Sequence, residues 1–313
     1  MSESKFAILF PGQGSQSLGM LQALAAVYPR VHQTFDEASE VLQLDLWKLV
    51  QEGPEDQLHQ TQNTQPAMLT AGVAVWQVWQ SEGGTEPAVM AGHSLGEYSA
   101  LVCAGALEFV DAVGLVAERG RFMQEAVPEG AGGMAAILGL DDEQVRGVCA
   151  EAAGPEVVAA VNYNSPGQVV IAGDKAAVVR ACELAKSAGA KRALPLPVSV
   201  PSHCALMQPA AERLRERLAA VNWQAPRIPV LHNVDVSEAG DSASIRDKLT
   251  QQLYSPVRWV ETIQAIAGRG IYDMIEAGPG KVLTGLNKRI DKRLTSLAVF
   301  DPDGLSTALE AVT

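Results

Sequence analysis

Residues 92–96, Gly-His-Ser-Leu-Gly, carry chemistry more directly than any other short stretch of this chain. They fit the pattern G-x-S-x-G, with the apolar run "AVMA" before them and a helical pattern after. In a strand-to-helix elbow of this kind the glycines remove Cβ atoms that would clash, and the serine hydroxyl projects from the end of the sheet. The following helix turns its positive dipole end toward the site, where an oxyanion would form. The pattern is that of a nucleophilic serine attacking a carbonyl, with Ser94 as the nucleophile. Taken without its context, it also describes a glycine-flanked turn with a serine N-cap.

A serine hydroxyl needs a base. The chain has five histidines: His32, His59, His93, His203 and His232. His93 adjoins the serine, but neighbouring residues on such a turn point in different directions. His32 and His59 lie in polar text that suits a solvated ring. His232 follows a short apolar run. His203 sits in "SVPSHCALM", a proline-fixed loop ahead of a helical pattern, where it also reads as a helix-start histidine without a role. The residues alone leave the base open, and no Asp or Glu between Ser94 and His203 is marked as a triad acid. Arg119, in "LVAERGRFMQ", stands in a largely apolar helical pattern. A guanidinium there needs a partner, and its fork suits a carboxylate; a surface position or an ion pair with Glu118 or Glu125 is the plainer account from the residues alone.

The chain opens on a second glycine-rich turn, "FPGQGSQSLGM". Neither phosphate-loop template fits. The dinucleotide fingerprint finds Gly12 and Gly14 but Ser17 in the third place. The P-loop finds Gly14 and Gly19 but Met20 and Leu21 where its lysine and hydroxyl belong. A strand feeding a glycine turn still exposes backbone N–H groups that suit a developing negative charge.

These residues must be positioned by a fold, and the bulk properties bound it. The chain has 313 residues, 47% hydrophobic and 19% charged, enough for one large domain or two modest ones with ample core. The net charge of -12 disfavours nucleic acid and anionic membrane as partners. No signal segment or spanning apolar run is evident, and the four cysteines, with no C-x-x-C, suit free thiols in a reducing cytoplasm.

Strand-like runs at 5–10, 88–91, 228–231, 271–275 and 296–299 alternate with helical patterns, including 18–28, 31–43, 66–81, 96–104 and 108–126. That alternation predicts an α/β fold with a mostly parallel sheet covered on both faces. Between 128 and 198 the order becomes β-α-β-β-α-β, a ferredoxin-like unit. The expected organisation is a large α/β domain, 1–127 and 199–313, carrying an inserted small domain, 128–198.

Seven ordered motifs, "FPGQGSQ", "GHSLGEYSAL", "ERGRFMQ", "NYNSPGQVVIAG", "VSVPSHCALM", "QLYSPVRW" and "EAGPGKVLTGL", closely resemble the bacterial malonyl-CoA:acyl carrier protein transacylases of type II fatty acid synthesis. The resemblance implies a hydrolase-like large domain carrying the ferredoxin-like one. It implies that Ser94 accepts malonyl from coenzyme A and that His203 is its base, oriented by the backbone carbonyl of Gln252 in place of a carboxylate. Arg119 would pair with the malonyl carboxylate, the N–H groups of Gln13 and Leu95 would hold the oxyanion, and Asn162 would lie near the cleft. Malonyl-CoA and holo-acyl carrier protein are the implied partners, with no cofactor and no metal. The carrier in such systems is acidic, so its attraction must be local. Lys281, Lys288 and Arg289 form one basic cluster and Lys191 with Arg192, near Lys186, a second; either suits a carrier or the coenzyme A phosphates, and either also suits a merely solvated surface. Three rival readings remain at this level: a polyketide-type acyltransferase for another extender unit, a serine esterase or thioesterase, and an inactive carrier-binding scaffold.

Overall fold

Strands buried on both faces must be apolar throughout, and β1 (Phe6–Phe10) and β2 (Val89–Gly92) are buried at every position in the computed structural model, which describes residues 5–198 and 200–312. We number the remaining strands β3 (Gly132–Leu138), β4 (Val158–Ser165), β5 (Gln168–Asp174), β6 (Arg192–Pro195), β7 (Val230–Leu231), β8 (Asp273–Ala277) and β9 (Thr295–Val299). One sheet runs β7-β2-β1-β8-β9, with every neighbouring pair parallel. On one of its faces Ile8 and Phe10 pack with helices Thr61–Ser81, Gly96–Cys103 and Phe109–Glu125. On the other, Ala7 and Leu9 pack with Trp259–Gly268 and Val282–Ile290. The turns at the carboxyl ends of β1 and β2 are "PGQG" and "HSLG", so the two glycine-rich segments meet at one end of a parallel sheet, where such folds bind ligands.

The second sheet runs β4-β5-β3-β6, all antiparallel, with helices Asp142–Ala153 and Lys175–Ser187 as crossovers. This is the ferredoxin-like order, as expected. Its Ile137, Val169 and Ile171 lie under those helices. The opposite face, through Met134, Val170 and Ala172, packs on Cys204, next to His203. β4 is also tied to the large unit by backbone bonds, Tyr163 N–H to Val257 O (3.0 Å) and Val257 N–H to Val161 O (2.8 Å).

Three local expectations differ. The helix expected at 66–81 begins at Thr61, with Pro66 in its second turn. The polar text "TQNTQ" resembles a loop, but Thr64, Gln65 and Pro66 are buried, and packing outweighs the cost of the proline. The pattern at 18–28 becomes helix only from Gln22, after Leu21 at φ 60°. Short helices Leu46–Glu52 and Glu55–Leu58 were not expected; the first carries apolar Leu46, Leu49 and Val50 at helical spacing and is capped by the Asp45 side chain through Lys48 N–H. No helix among the described residues is long and apolar enough to cross a membrane.

Candidate active site

Ser94 has φ 52°, in the left-handed region where a non-glycine residue is strained by roughly 1–3 kcal/mol. Its surroundings over-determine it. A Cβ on Gly92 would lie 1.9 Å from the Gly96 backbone, and one on Gly96 would lie 2.1 Å from Phe10 O, so only glycine allows the elbow to fold this tightly against β1. Asn233, just beyond β7, then clamps the turn. Its Oδ1 accepts from Ser94 N–H (2.7 Å), its Nδ2 donates to Gly92 O (2.7 Å), and its own N–H donates to Glu97 Oε2 (2.8 Å).

His203 is likewise left-handed, at φ 65°, and its N–H donates to Leu253 O at 2.9 Å. Its Nδ1 lies 2.7 Å from Gln252 O and its Nε2 lies 2.7 Å from Ser94 Oγ. A carbonyl only accepts, so Nδ1 carries the ring proton and the Nε2 lone pair faces the serine hydroxyl. Burial and then the charge of Arg119 push the imidazole down to about 3, against the opposing pull of the Gln252 carbonyl. The ring is therefore neutral across ordinary pH and ready to take a proton. No carboxylate among the described residues touches it; the serine–histidine pair is completed by a backbone oxygen.

Arg119 falls on the buried stripe of helix Phe109–Glu125, with Ala112, Leu115, Val116 and Phe122. It is 1% exposed. Gly120 allows the helix that begins at Thr61 to approach; a Cβ there would meet Thr61 O at 2.6 Å. That approach delivers Gln65, whose Oε1 accepts from one terminal nitrogen of Arg119 at 2.8 Å. The other donates to Gln252 Oε1 at 2.9 Å, and Nε has no partner. The guanidinium lies 5.4 Å from the Tyr98 ring centre. Burial lowers its pKa from the ordinary value, and burial raises that of Tyr98 to about 12. The ion pairs open at the sequence level are not formed: Glu118 bonds Arg217 and Glu125 bonds Arg213, both on the surface. Among the described residues Arg119 thus meets neutral amide oxygens and no carboxylate directly.

Ser94, His203 and Arg119 line one cleft of about 380 Å³, together with Gln13, Leu95 and Asn162. Neither the Gln13 nor the Leu95 N–H donates a hydrogen bond to any described residue, although the amides beside them, Ser94 and Gly14, do. Asn162, on β4, brings a buried Oδ1 without a partner. His59, read as solvated, is exposed but reaches the lining.

Four contributors escaped the sequence reading: Gln65, Asn233, the Glu97–His232 pair, and Asn164, which bonds His93 Nε2 at 2.8 Å across to the second sheet. The polar pair His232-Asn233 directly after an apolar strand was a usable signal, because the carboxyl ends of parallel strands face the site.

The basic residues Lys191, Arg192, Lys281, Lys288 and Arg289 are all exposed and none lines the cleft. Arg289 donates to Gln168 at 2.6 Å. Gln168 pairs with Leu138, and Leu138 with Arg192. Two strand spacings, about 10 Å, therefore separate the backbones of Gln168 and Arg192. Two clusters read as alternatives, Lys288 with Arg289 and Lys191 with Arg192, therefore stand at one end of the strands of the second sheet, on opposite sides of β3. Lys281 stands apart, over the Phe300 ring.

Comparison with known proteins places this geometry. Residues 7–294 match the acyl transferase domain family. The chain is 60% identical to the malonyl CoA-acyl carrier protein transacylase of Salmonella typhimurium, over 98% of this chain and 99% of that one. The Bacillus subtilis protein of the same name is 48% identical, over 99% and 98%. Among solved structures, an acyl carrier protein S-malonyltransferase from Vibrio cholerae superposes with a TM-score of 0.95 at 61% identity, covering 97% of this chain and 99% of that one. A malonyl-transacylase in complex with its type II PKS acyl-carrier protein superposes with a TM-score of 0.97 at 57% identity, covering 98% and 100%.

Proposed function

We propose that this chain, which belongs to the malonyl CoA-acyl carrier protein transacylase family of acyltransferases, moves a malonyl group from coenzyme A to the thiol of holo-acyl carrier protein through an ester on Ser94. The observation that carries this reading is a neutral histidine 2.7 Å from an elbow serine, in one cleft with a buried arginine that has no carboxylate partner.

His203 Nε2 takes the Ser94 proton as Oγ attacks the thioester carbonyl. The oxyanion that forms faces the free N–H groups of Gln13 and Leu95. Collapse breaks the carbon–sulfur bond, and the imidazolium returns its proton to the leaving thiolate. The carrier thiol then gives its proton to His203, attacks the ester, and Ser94 recovers the proton as it departs. Two transfers through one covalent intermediate give ping-pong kinetics. Arg119 pairs with the free malonyl carboxylate, a charge-assisted contact worth roughly 1.5–3 kcal/mol; an acetyl group has nothing to offer it. Asn162 completes the cleft from the second sheet, which we take to be an inserted domain spanning 128–198. The basic residues at that end of the second sheet, Arg192 and Arg289 with their neighbours, supply the local positive field that an acidic carrier needs on a protein of net charge -12. Fatty acid elongation in the cytoplasm is the setting this activity serves.

Intact-mass measurement after incubation with malonyl-CoA tests the reading. A malonyl adduct is expected on the wild type and not on Ser94→Ala, and holo-carrier is expected to remove it onto its own thiol. Release as free malonate would make the chain a hydrolase. In the same assay Arg119→Ala loses malonyl transfer by about ten- to a hundredfold while acetyl transfer is little changed; equal losses would remove Arg119 from the selectivity role.

A further inference from the structure

Glu97 is fully buried and has no part in the steps above. Two of the groups bonded to it can only donate, and the third, His232 Nδ1, donates in the tautomer that carries its proton there. His232 Nδ1 meets Oε1 at 2.8 Å, while Asn233 N–H (2.8 Å) and Gln252 Nε2 (3.0 Å) meet Oε2. That is the shell of an acceptor-only carboxylate. No lysine or arginine touches it. The route to a cation runs through the Gln252 side chain, whose Oε1 accepts from Arg119 and whose Nε2 donates to Glu97 and to Ser94 O (3.0 Å). The orientation of this amide follows from chemistry, because a guanidinium can only donate and a carboxylate or carbonyl can only accept. Its dipole therefore lies head to tail between a buried positive and a buried negative group. Burial disfavours the charged guanidinium of Arg119, and Tyr98 and then Glu97 act electrostatically against that.

We propose that Glu97 is a positioning residue that serves as the internal counter-ion of Arg119 through Gln252, and that it sets how tightly the cleft holds an anionic acyl group. A buried charge is stable when compensated. Arg119 is compensated before any substrate enters, so a substrate carboxylate arrives as a second anion and meets the field of Glu97 as well as that of Arg119. Binding is thereby tempered. Tighter holding of the acyl group in the ester would stabilise the intermediate without speeding its transfer. The same carboxylate holds Asn233, which clamps Ser94 N–H, and Gln252, whose carbonyl orients His203. One buried charge thus adjusts the acyl site and supports the reacting pair.

The inference rests on the proposed malonyl transfer for its kinetic consequences but not for its binding consequence, and the experiment separates the two. Glu97→Gln keeps the shape and removes the charge. The new Oε1 can serve Asn233 and Gln252, and the new amide nitrogen faces His232 Nδ1, which accepts once the ring proton moves to Nε2, an atom without a partner in the native site. Free malonate titrated into the folded variant by calorimetry is expected to bind on the order of tenfold more tightly than to the wild type, with acetate gaining less. In transfer assays KM for malonyl-CoA falls, the malonyl-enzyme reacts more slowly with carrier, and the ratio of malonyl to acetyl kcat/KM rises. Glu97→Asp keeps the charge and leaves that ratio at the wild-type value even if the disturbed elbow lowers kcat for both substrates. Unchanged malonate affinity in Glu97→Gln, equal changes toward both acyl groups, or a shifted ratio in Glu97→Asp overturns the proposal. Tighter malonate binding in a protein whose wild type forms no Ser94 ester would leave the counter-ion standing and defeat the transferase reading.

Discussion

On the wall of the cleft built by the parallel sheet, the polar side chains around the serine and the histidine are bonded to one another. Asn233 bonds at both ends of its amide, Gln252 bonds through its carbonyl and both side-chain atoms, and Ser94 and His203 are joined at 2.7 Å. On the wall built by the antiparallel sheet, Asn162 Oδ1 has no partner, and its neighbours in the lining are Met134, Leu196 and Val198. The first wall holds two non-glycine residues at positive φ, which demands more constraints than the backbone supplies. Among the described residues the second holds no non-glycine residue at positive φ, and it leaves an acceptor free for a ligand. One wall is preorganised for reaction and the other is open for recognition.

The contrast breaks most sharply at Asn233. Asn233→Ala leaves Ser94 N–H and Gly92 O buried and unpaired, at a cost of about 2–4 kcal/mol of stability by denaturant titration. Relaxation of the elbow is expected to slow acylation of Ser94 on the order of a hundredfold by rapid-quench mass measurement. Little change in either would show that the glycines hold the turn unaided. Asn162→Ala, on the other wall, is expected to raise KM for malonyl-CoA by up to about tenfold with the melting temperature nearly unmoved, since no intramolecular hydrogen bond is lost. A large fall in the reactivity of Ser94 there would erase the distinction between the walls.

The smallest expected effect is a flat pH profile. His203 acts as a base when neutral, and burial with the Arg119 charge holds it down to about 3. Acylation is therefore expected to stay level between pH 8 and 5, where an ordinary imidazole at about 6.5 would lose roughly thirtyfold. The same depression has a stability consequence. Below 6.5 the unfolded chain takes up a proton that the folded site refuses, so stability falls as the pH drops from 6.5 toward 3. A midpoint near 6.5 in the acylation rate would mean that His203 is solvated in the working enzyme.

Much of the architecture was legible because its signals are local. β1 and β2 read as strands from unbroken apolar runs, and the change to β-α-β-β-α-β after residue 127 announced the second sheet. The helix from Thr61 began earlier than its periodicity because tertiary burial, not propensity, orders its first turn. The same error hid Gln65, and with it the partner of Arg119.

The sequence by itself determined the reactive turn. Glycine spacing around Ser94 and the strand before it are steric facts that five to ten residues contain, and the seven motifs named the family that the comparisons bear out. Which histidine serves the serine, and what a buried arginine leans on, were decided only by packing. Ser94 and His203 are 109 residues apart, and Arg119 and Gln252 are 133. Nothing local distinguishes an arginine facing Glu118 from one facing Gln252; the choice follows from which face of its helix the parallel sheet buries. Strand register in the second sheet likewise set Gln168, the partner of Arg289, two strands from Arg192, so two basic clusters that the chain keeps far apart stand at one end of its strands.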